Sequence, residues 1–259
     1  MQFVLGFHLI ATAIFVLGSA VVGLRLLGLA RRSRQAPELL LGCAILLTAV
    51  LGYGLLIVGT IFRSSIDADA IPFWLVSLTA LAKISHDLGV ALFILFVARV
   101  FRPGERWAHA LACGAMLMMG AGLAWGAAEG SFRVETPMSP AWWLEYSIIW
   151  TYSLWLVVES LRYWRLMRRR AALGMADPMV TNRFLLWGIG SLFTFLATAT
   201  ASIPFFLIER QETMLAAAPA IYVGTAIAGV CSISCSYLAF LPPNWFAAHV
   251  RARATGSPA

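Results

Sequence analysis

This sequence predicts an all-α, polytopic fold, a bundle of seven transmembrane helices with its N-terminus outside and its C-terminus inside. Three observations carry that expectation. The 259 residues are 61% hydrophobic and 12% charged, with a mean hydropathy of +0.82, whereas about a quarter of a soluble domain is charged. The apolar residues fall into seven runs, each close to the roughly 20 residues that cross a hydrocarbon core of about 30 Å. Of the nineteen basic residues eighteen are arginines, and fifteen of those lie at or just beyond the ends of runs one, three, five and seven. Only Arg63, Arg133 and Arg210 fall on the opposite side, which is the positive-inside pattern of a multi-pass protein of a cell inner membrane. The same pattern excludes nucleic acid as the reason for the +7 charge. The partners expected are membrane lipids and a protein in the cytoplasm or the membrane.

The expected helices cover 3–27, 37–62, 73–99, 107–127, 142–168, 184–208 and 214–241, as one domain, with a short interfacial segment at 244–253. Run one has no basic n-region and no small-residue cleavage site after it, so it is expected to stay in place as a span. It ends in LARRSRQ, and Pro37 opens run two in a first-turn position that proline tolerates. Asp67 and Asp69 lie in the outer loop that follows. Run three ends at Pro103–Gly104, and run four carries Gly122 and Gly126 at a spacing that admits a neighbouring helix. Run five opens on Trp142 and Trp143, expected at the membrane interface, and closes in the basic cluster RYWRLMRRR. Asp177 is an expected N-cap for run six with Pro178 in its first turn, and Pro204 is expected to bend the far end. Pro242–Pro243 ends run seven, and NWFAAHVRAR is expected to lie on the inner leaflet. RLLGLARRSRQAPELLLG faintly echoes RLMRRRAALGMADPMVTNRFLLWG; an internal repeat and shared basic-loop chemistry both account for it.

The organising stretch is run three, which carries Lys83, His86 and Asp87 near its middle; Lys83 is the chain's one lysine. Charges there are expensive and are normally paired, turned inward and functional. Lys83 and Asp87 stand four residues apart, so an ion pair between them is expected, at depths of about 15 and 20 Å from the outer face. It would serve as a self-neutralising structural pair or as a ligand, ion or proton site. His8, Tyr53, Glu145, Thr198 and Tyr222 fall in the outer half of other runs and are expected to line an outward-facing polar cavity with the triplet as floor. Glu159 is expected to pair with Arg162 at the inner end of run five. Cys43, Cys113, Cys231 and Cys235 all lie inside apolar runs, a placement that suits packing rather than a structural disulfide.

The absences narrow the chemistry. No HExxH, ExxH pair, three-histidine set or Gly-x-Ser-x-Gly occurs, so neither an enzyme nor a metal centre is expected. Haem is disfavoured because His8 and His86 differ by roughly 10 Å in depth. Helix count and orientation are similar to those of microbial rhodopsins, but the lysine that would hold retinal on run seven is missing, so retinal is disfavoured too. PELLLG, RVFRPGERWA, LGMADPMVTNRFLLWG and YLAFLPPNW resemble segments of bacterial seven-helix integral membrane proteins with no assigned activity. That resemblance implies a fold, and it directs attention to the inner face, where Arg168, Arg169, Arg170, Asp177 and Arg183 form an expected docking surface. The expected function is a membrane binding module, sensor- or receptor-like or a subunit of a complex. The alternative is a small ion- or proton-coupled transporter using the same cluster.

Overall fold

The computed structural model describes residues 2–63, 66, 70–133, 138–207 and 211–255, without the side chains of residues 2, 5, 211 and 253–255. Helix α1 covers Gln2–Ser33, α2 Ala36–Arg63, α3 Phe73–Phe101, α4 Arg106–Ala128, α5 Pro140–Ala172, α6 Pro178–Phe206, α7 Gln211–Phe240 and α8 Asn244–Thr255. The apolar runs are therefore helices, each extended by a few residues at one or both ends. Asp67, Asp69 and Arg210 lie outside the described residues.

Local chemistry explains the ends. Helix α1 runs through its basic cluster because Arg31 and Arg32 in the last turn face the carbonyl end of the helix. Arg34 then adopts φ 56° and gives its N–H to the Ala30 carbonyl at 2.8 Å. The Ser33 hydroxyl donates to Glu38 Oε2 at 2.7 Å, and the chain reverses within two residues. Asp177 caps α6 as expected, its Oδ1 accepting from the Met179 N–H at 2.7 Å. Gly104, Gly130 and Gly174, all with positive φ, follow the ends of α3, α4 and α5.

Six of these helices, α1 to α4, α6 and α7, are long and apolar enough to cross a membrane. The chain is a multi-pass membrane protein on that ground. Helix α5 is the longest of all at 33 residues, but its apolar stretch is interrupted by Glu145 and Glu159 and diluted by Trp and Tyr. The outward faces agree with a lipid surrounding: Phe3, Ile10, Ile14, Leu17, Val21 and Leu24 form an exposed stripe along α1 that a soluble helix would turn to its core.

The chain forms two compact units. One comprises Ser19–Tyr152 with Ser202–Ala216, the other Met1–Gly18, Ser153–Ala201 and Ala217–Ala259. In the first, α3 packs against α2 along its length and against α4, and its buried face runs from Leu75 through Ala82, Val90 and Ile94 to Phe101. Trp142, near the start of α5, is turned into the first unit. It is 4% exposed and packs among Trp143, Tyr146, Trp150, Phe205 and Phe206 with ring centroids 4.1–6.3 Å apart. Gly122 meets α5 as its spacing suggested: a Cβ there would lie 3.2 Å from the Ala141 carbonyl and 3.1 Å from Glu145 Cγ.

Helix α2 holds a feature that sequence reasoning missed. Leu46–Tyr53 winds as a π-helix between two α-helical stretches. At the far end Arg63 closes the helix: its Nη2 donates to the Phe132 carbonyl at 3.1 Å and to Thr79 Oγ1 at 3.4 Å.

Candidate functional site

The charged residues of α3 sit within the first unit, and their pairing differs from expectation. Lys83 Nζ is 2.8 Å from Glu145 Oε2 on α5, while Asp87 Oδ1 is 3.2 Å from Nδ1 of its neighbour His86. The expected Lys83–Asp87 pair is thus replaced by two pairs. Side-chain direction explains the choice. Side chains on an α-helix lean toward its N-terminus, so a lysine placed four residues before an acid reaches away from it. This is the weaker order of an i,i+4 pair. Lys83 extends toward the Phe73 end of α3, and Glu145, early in α5, meets it there.

Burial makes the cluster costly. Glu145 is 2% exposed and Asp87 6%, and the Lys83 side chain is 26% exposed. Each carboxylate has one oxygen engaged and one without a hydrogen-bond partner: Glu145 Oε1 and Asp87 Oδ2. His86 and Asp87 also lie near enough to Glu145 to act on it electrostatically. Formally, one ammonium and two carboxylates leave the cluster with one acid more than the lysine can balance.

The π-helical stretch of α2 forms the other wall. Tyr53 meets His86 edge-on, with centroids 5.2 Å apart at 81°. A Cβ on Gly52 would lie 2.8 Å from His86 Cβ and 3.0 Å from its Cα, and one on Gly89 would lie 2.6 Å from the Thr48 backbone nitrogen. These two glycines let α2 and α3 approach at the level of the cluster. The winding matters here. In an α-helix Tyr53 would lie about 140° around from Thr48. A π turn takes up one more residue, which brings residues five apart onto one face. Thr48, Gly52 and Tyr53 therefore all look onto α3. The Thr48 hydroxyl is itself buried without a hydrogen-bond partner.

Of the eight expected site residues, Tyr53, Lys83, His86, Asp87 and Glu145 belong to this unit, and Glu145 serves as the lysine's partner rather than as a lining group. His8, Thr198 and Tyr222 belong to the other unit. There His8 Nδ1 is 3.2 Å from the Tyr222 carbonyl with the rings 5.2 Å apart. The Thr198 hydroxyl donates within its own helix, to the carbonyls of Thr194 and Phe195. Thr194 and Ser232 join α6 to α7 at 2.8 Å. Glu159, expected in a surface or inter-helix ion pair, is 1% exposed and 3.7 Å from Arg162 on its own helix. All four cysteines are free thiols.

The expected docking residues divide in two. Arg168, Arg169 and Arg170 are exposed, Arg168 lying over the Trp164 ring at 5.6 Å. Asp177 is used as the cap of α6. Arg183 donates from Nε to the Ala239 carbonyl at 3.0 Å and lies over the Phe240 ring, which ties α6 to the end of α7. Among the described residues, no group of three or more His, Cys, Asp or Glu side chains is arranged to hold a metal ion.

Comparison with protein-family models, curated proteins and solved structures finds no match. The chemistry of the site has to be read from its own residues.

Proposed function

We propose that the chain is a seven-span protein of a bacterial inner membrane, N-terminus outside, that binds a polar ligand at the Lys83–His86–Asp87–Glu145 cluster without catalysing its conversion. It acts as a sensor- or receptor-like module or as a subunit of a membrane complex. Helix α5 is the seventh span in this reading: its two acids are turned inward, which accounts for its lower apolarity. The arginine distribution supports the orientation, and the exposed Arg168–Arg170 cluster supports a partner on the inner side.

The observation that carries the reading is the pair of buried carboxylates that each leave one oxygen unsatisfied. A structural ion pair is favourable only when its remaining lone pairs are hydrogen-bonded, so half-satisfied acids at this depth suit a site that takes up a donor. The test is labelling of membranes with dicyclohexylcarbodiimide, an apolar reagent that reacts with protonated carboxyls in lipid surroundings. Modification of Asp87 or Glu145, located by peptide mass spectrometry, is expected. Absence of label at both, with the protein folded and the reagent active on another membrane carboxyl, would make the cluster a sealed scaffold.

A further inference from the structure

We propose that one face of α5, over residues 154–169, is a binding track for an anionic phospholipid whose phosphate is held by Arg162, Arg165 and Arg169. The inference rests on the reading of α5 as a span and is independent of the α3 cluster. At about 100° per residue the three arginines fall within an arc of about 60°, and all three are exposed. The same face continues toward the middle of the helix as Leu154, 43% exposed, and Val158, 60% exposed. Adding them widens the arc only to about 80°. One exposed face thus passes from apolar to cationic within about one turn, between Val158 and Arg162. A phospholipid lying along the helix has that profile, with an acyl chain beside Leu154 and Val158 and the phosphate at the arginines. A water-soluble acidic protein would reach the arginines but not the apolar part of the face.

Aromatic rings mark the level at which this face leaves the hydrocarbon. Tyr163 on α5 lies 5.6 Å from Phe184 on α6, and Trp187 on α6 lies 5.3 Å from Phe240 on α7. Arg162 and Arg165 flank that level, and Arg169 stands about 10 Å beyond Arg162 along the axis. The headgroup layer is about 5–7 Å deep. Helix side chains lean toward the N-terminus, so here they lean back into that layer, and the arginine stem covers the remaining distance. Each guanidinium offers paired N–H donors that match two phosphate oxygens. Charge selects the anionic headgroup. No acid lies between Glu159 and Asp177 in the sequence, and Glu159, 3.7 Å from Arg162, is itself buried. A zwitterionic lipid would bring its own cation against three arginines. Arg168, which lies over the Trp164 ring, and Arg170 stand on other faces of the helix.

The experiment places a bimane fluorophore on a cysteine at Val158, in the full chain freed of its own cysteines. The vesicles mix phosphatidylglycerol with phosphatidylcholine, and one or the other carries brominated acyl chains. Bromine quenches only on contact, so the two series give the relative affinity of the lipids at this face. Phosphatidylglycerol should be preferred about five- to tenfold, little more than one fully effective arginine supplies, because exposed charges are screened. About 0.5 M sodium chloride should bring the preference within about twofold. Arg162→Gln, Arg165→Gln and Arg169→Gln together should do the same at low salt, while Arg168→Gln with Arg170→Gln should leave the preference in place. A fluorophore at the exposed Leu17 of α1 should report no such preference. Equal quenching by the two lipids at Val158 overturns the site, as does a preference that salt or the triple substitution leaves standing. The same preference at Leu17 overturns its assignment to this face. Quenching by neither lipid puts Val158 outside the acyl layer, which removes the reading of α5 as a span and this inference with it.

Discussion

Replacing Lys83 with methionine should destabilise the protein more than replacing Glu145 with leucine, and both together should cost less than the sum. In Lys83→Met the Glu145 carboxylate stays 2% exposed with both oxygens unpaired, which falls in the middle of the about 3–5 kcal/mol range for a broken buried pair. In Glu145→Leu the orphan is an ammonium on a long stem whose side chain is already 26% exposed. It can re-aim toward water or toward Asp87, so about 2 kcal/mol is expected. The double variant removes both charges and leaves only the repacking of two side chains, about 3 kcal/mol at most. The coupling is then about 3 kcal/mol. A scanning melt of the detergent-purified protein reads it: about 10 °C is lost in Lys83→Met, at roughly 2–4 °C per kcal/mol for a chain of this size. Additive melts, or a stronger coupling of Lys83 to Asp87 than to Glu145, would refute the assigned pairing.

Three further outcomes follow from packing and topology. Gly89→Ala and Gly52→Ala push a methyl into Thr48 and His86 and should each lower stability by about 1–3 kcal/mol, whereas Gly114→Ala and Gly120→Ala meet open space and should be neutral or stabilising by up to about 1 kcal/mol; similar melts for all four would discount the close approach of α2 and α3. Trp142→Ala should cost about 3–5 kcal/mol in the same assay, since it leaves five aromatic neighbours around a void, and a loss under about 1 kcal/mol would discount that packing. In a cysteine-free background a cysteine at the exposed Glu129 should react with an impermeant thiol reagent in intact cells and one at Ala171 should not, the reverse result inverting the topology.

What the sequence made legible depended on how local the physics was. Helix existence and the turns between helices were readable because apolar runs, Asp177, Pro37 and Gly104 act on their own neighbourhoods. Gly122 was readable as a contact, though not as the contact that admits Glu145. The partner of Lys83 was misassigned because spacing along one helix was weighed without the direction in which its side chains lean. That His8, Thr198 and Tyr222 belong to a different unit from the cluster had no sequence signal, since similar depth in different runs does not say which helices pack together. The π-helical stretch in α2 also left no local mark. LLTAVLGY reads as ordinary helix, and its winding follows from how Thr48, Gly52 and Tyr53 meet α3.

That winding has a mechanical corollary. A π stretch is a helix carrying surplus residue in its coil, and unwinding one such residue into α form would turn everything beyond it by about 100° and lengthen α2 by about 1.5 Å. Tyr53 would swing off His86 while Ala36 stayed where it is. The torque would be felt at the opposite end, where Arg63 grips the Phe132 carbonyl and Thr79. Two hydrogen bonds at the rim of the helix therefore help to hold the register on which the edge-on contact of Tyr53 with His86 depends.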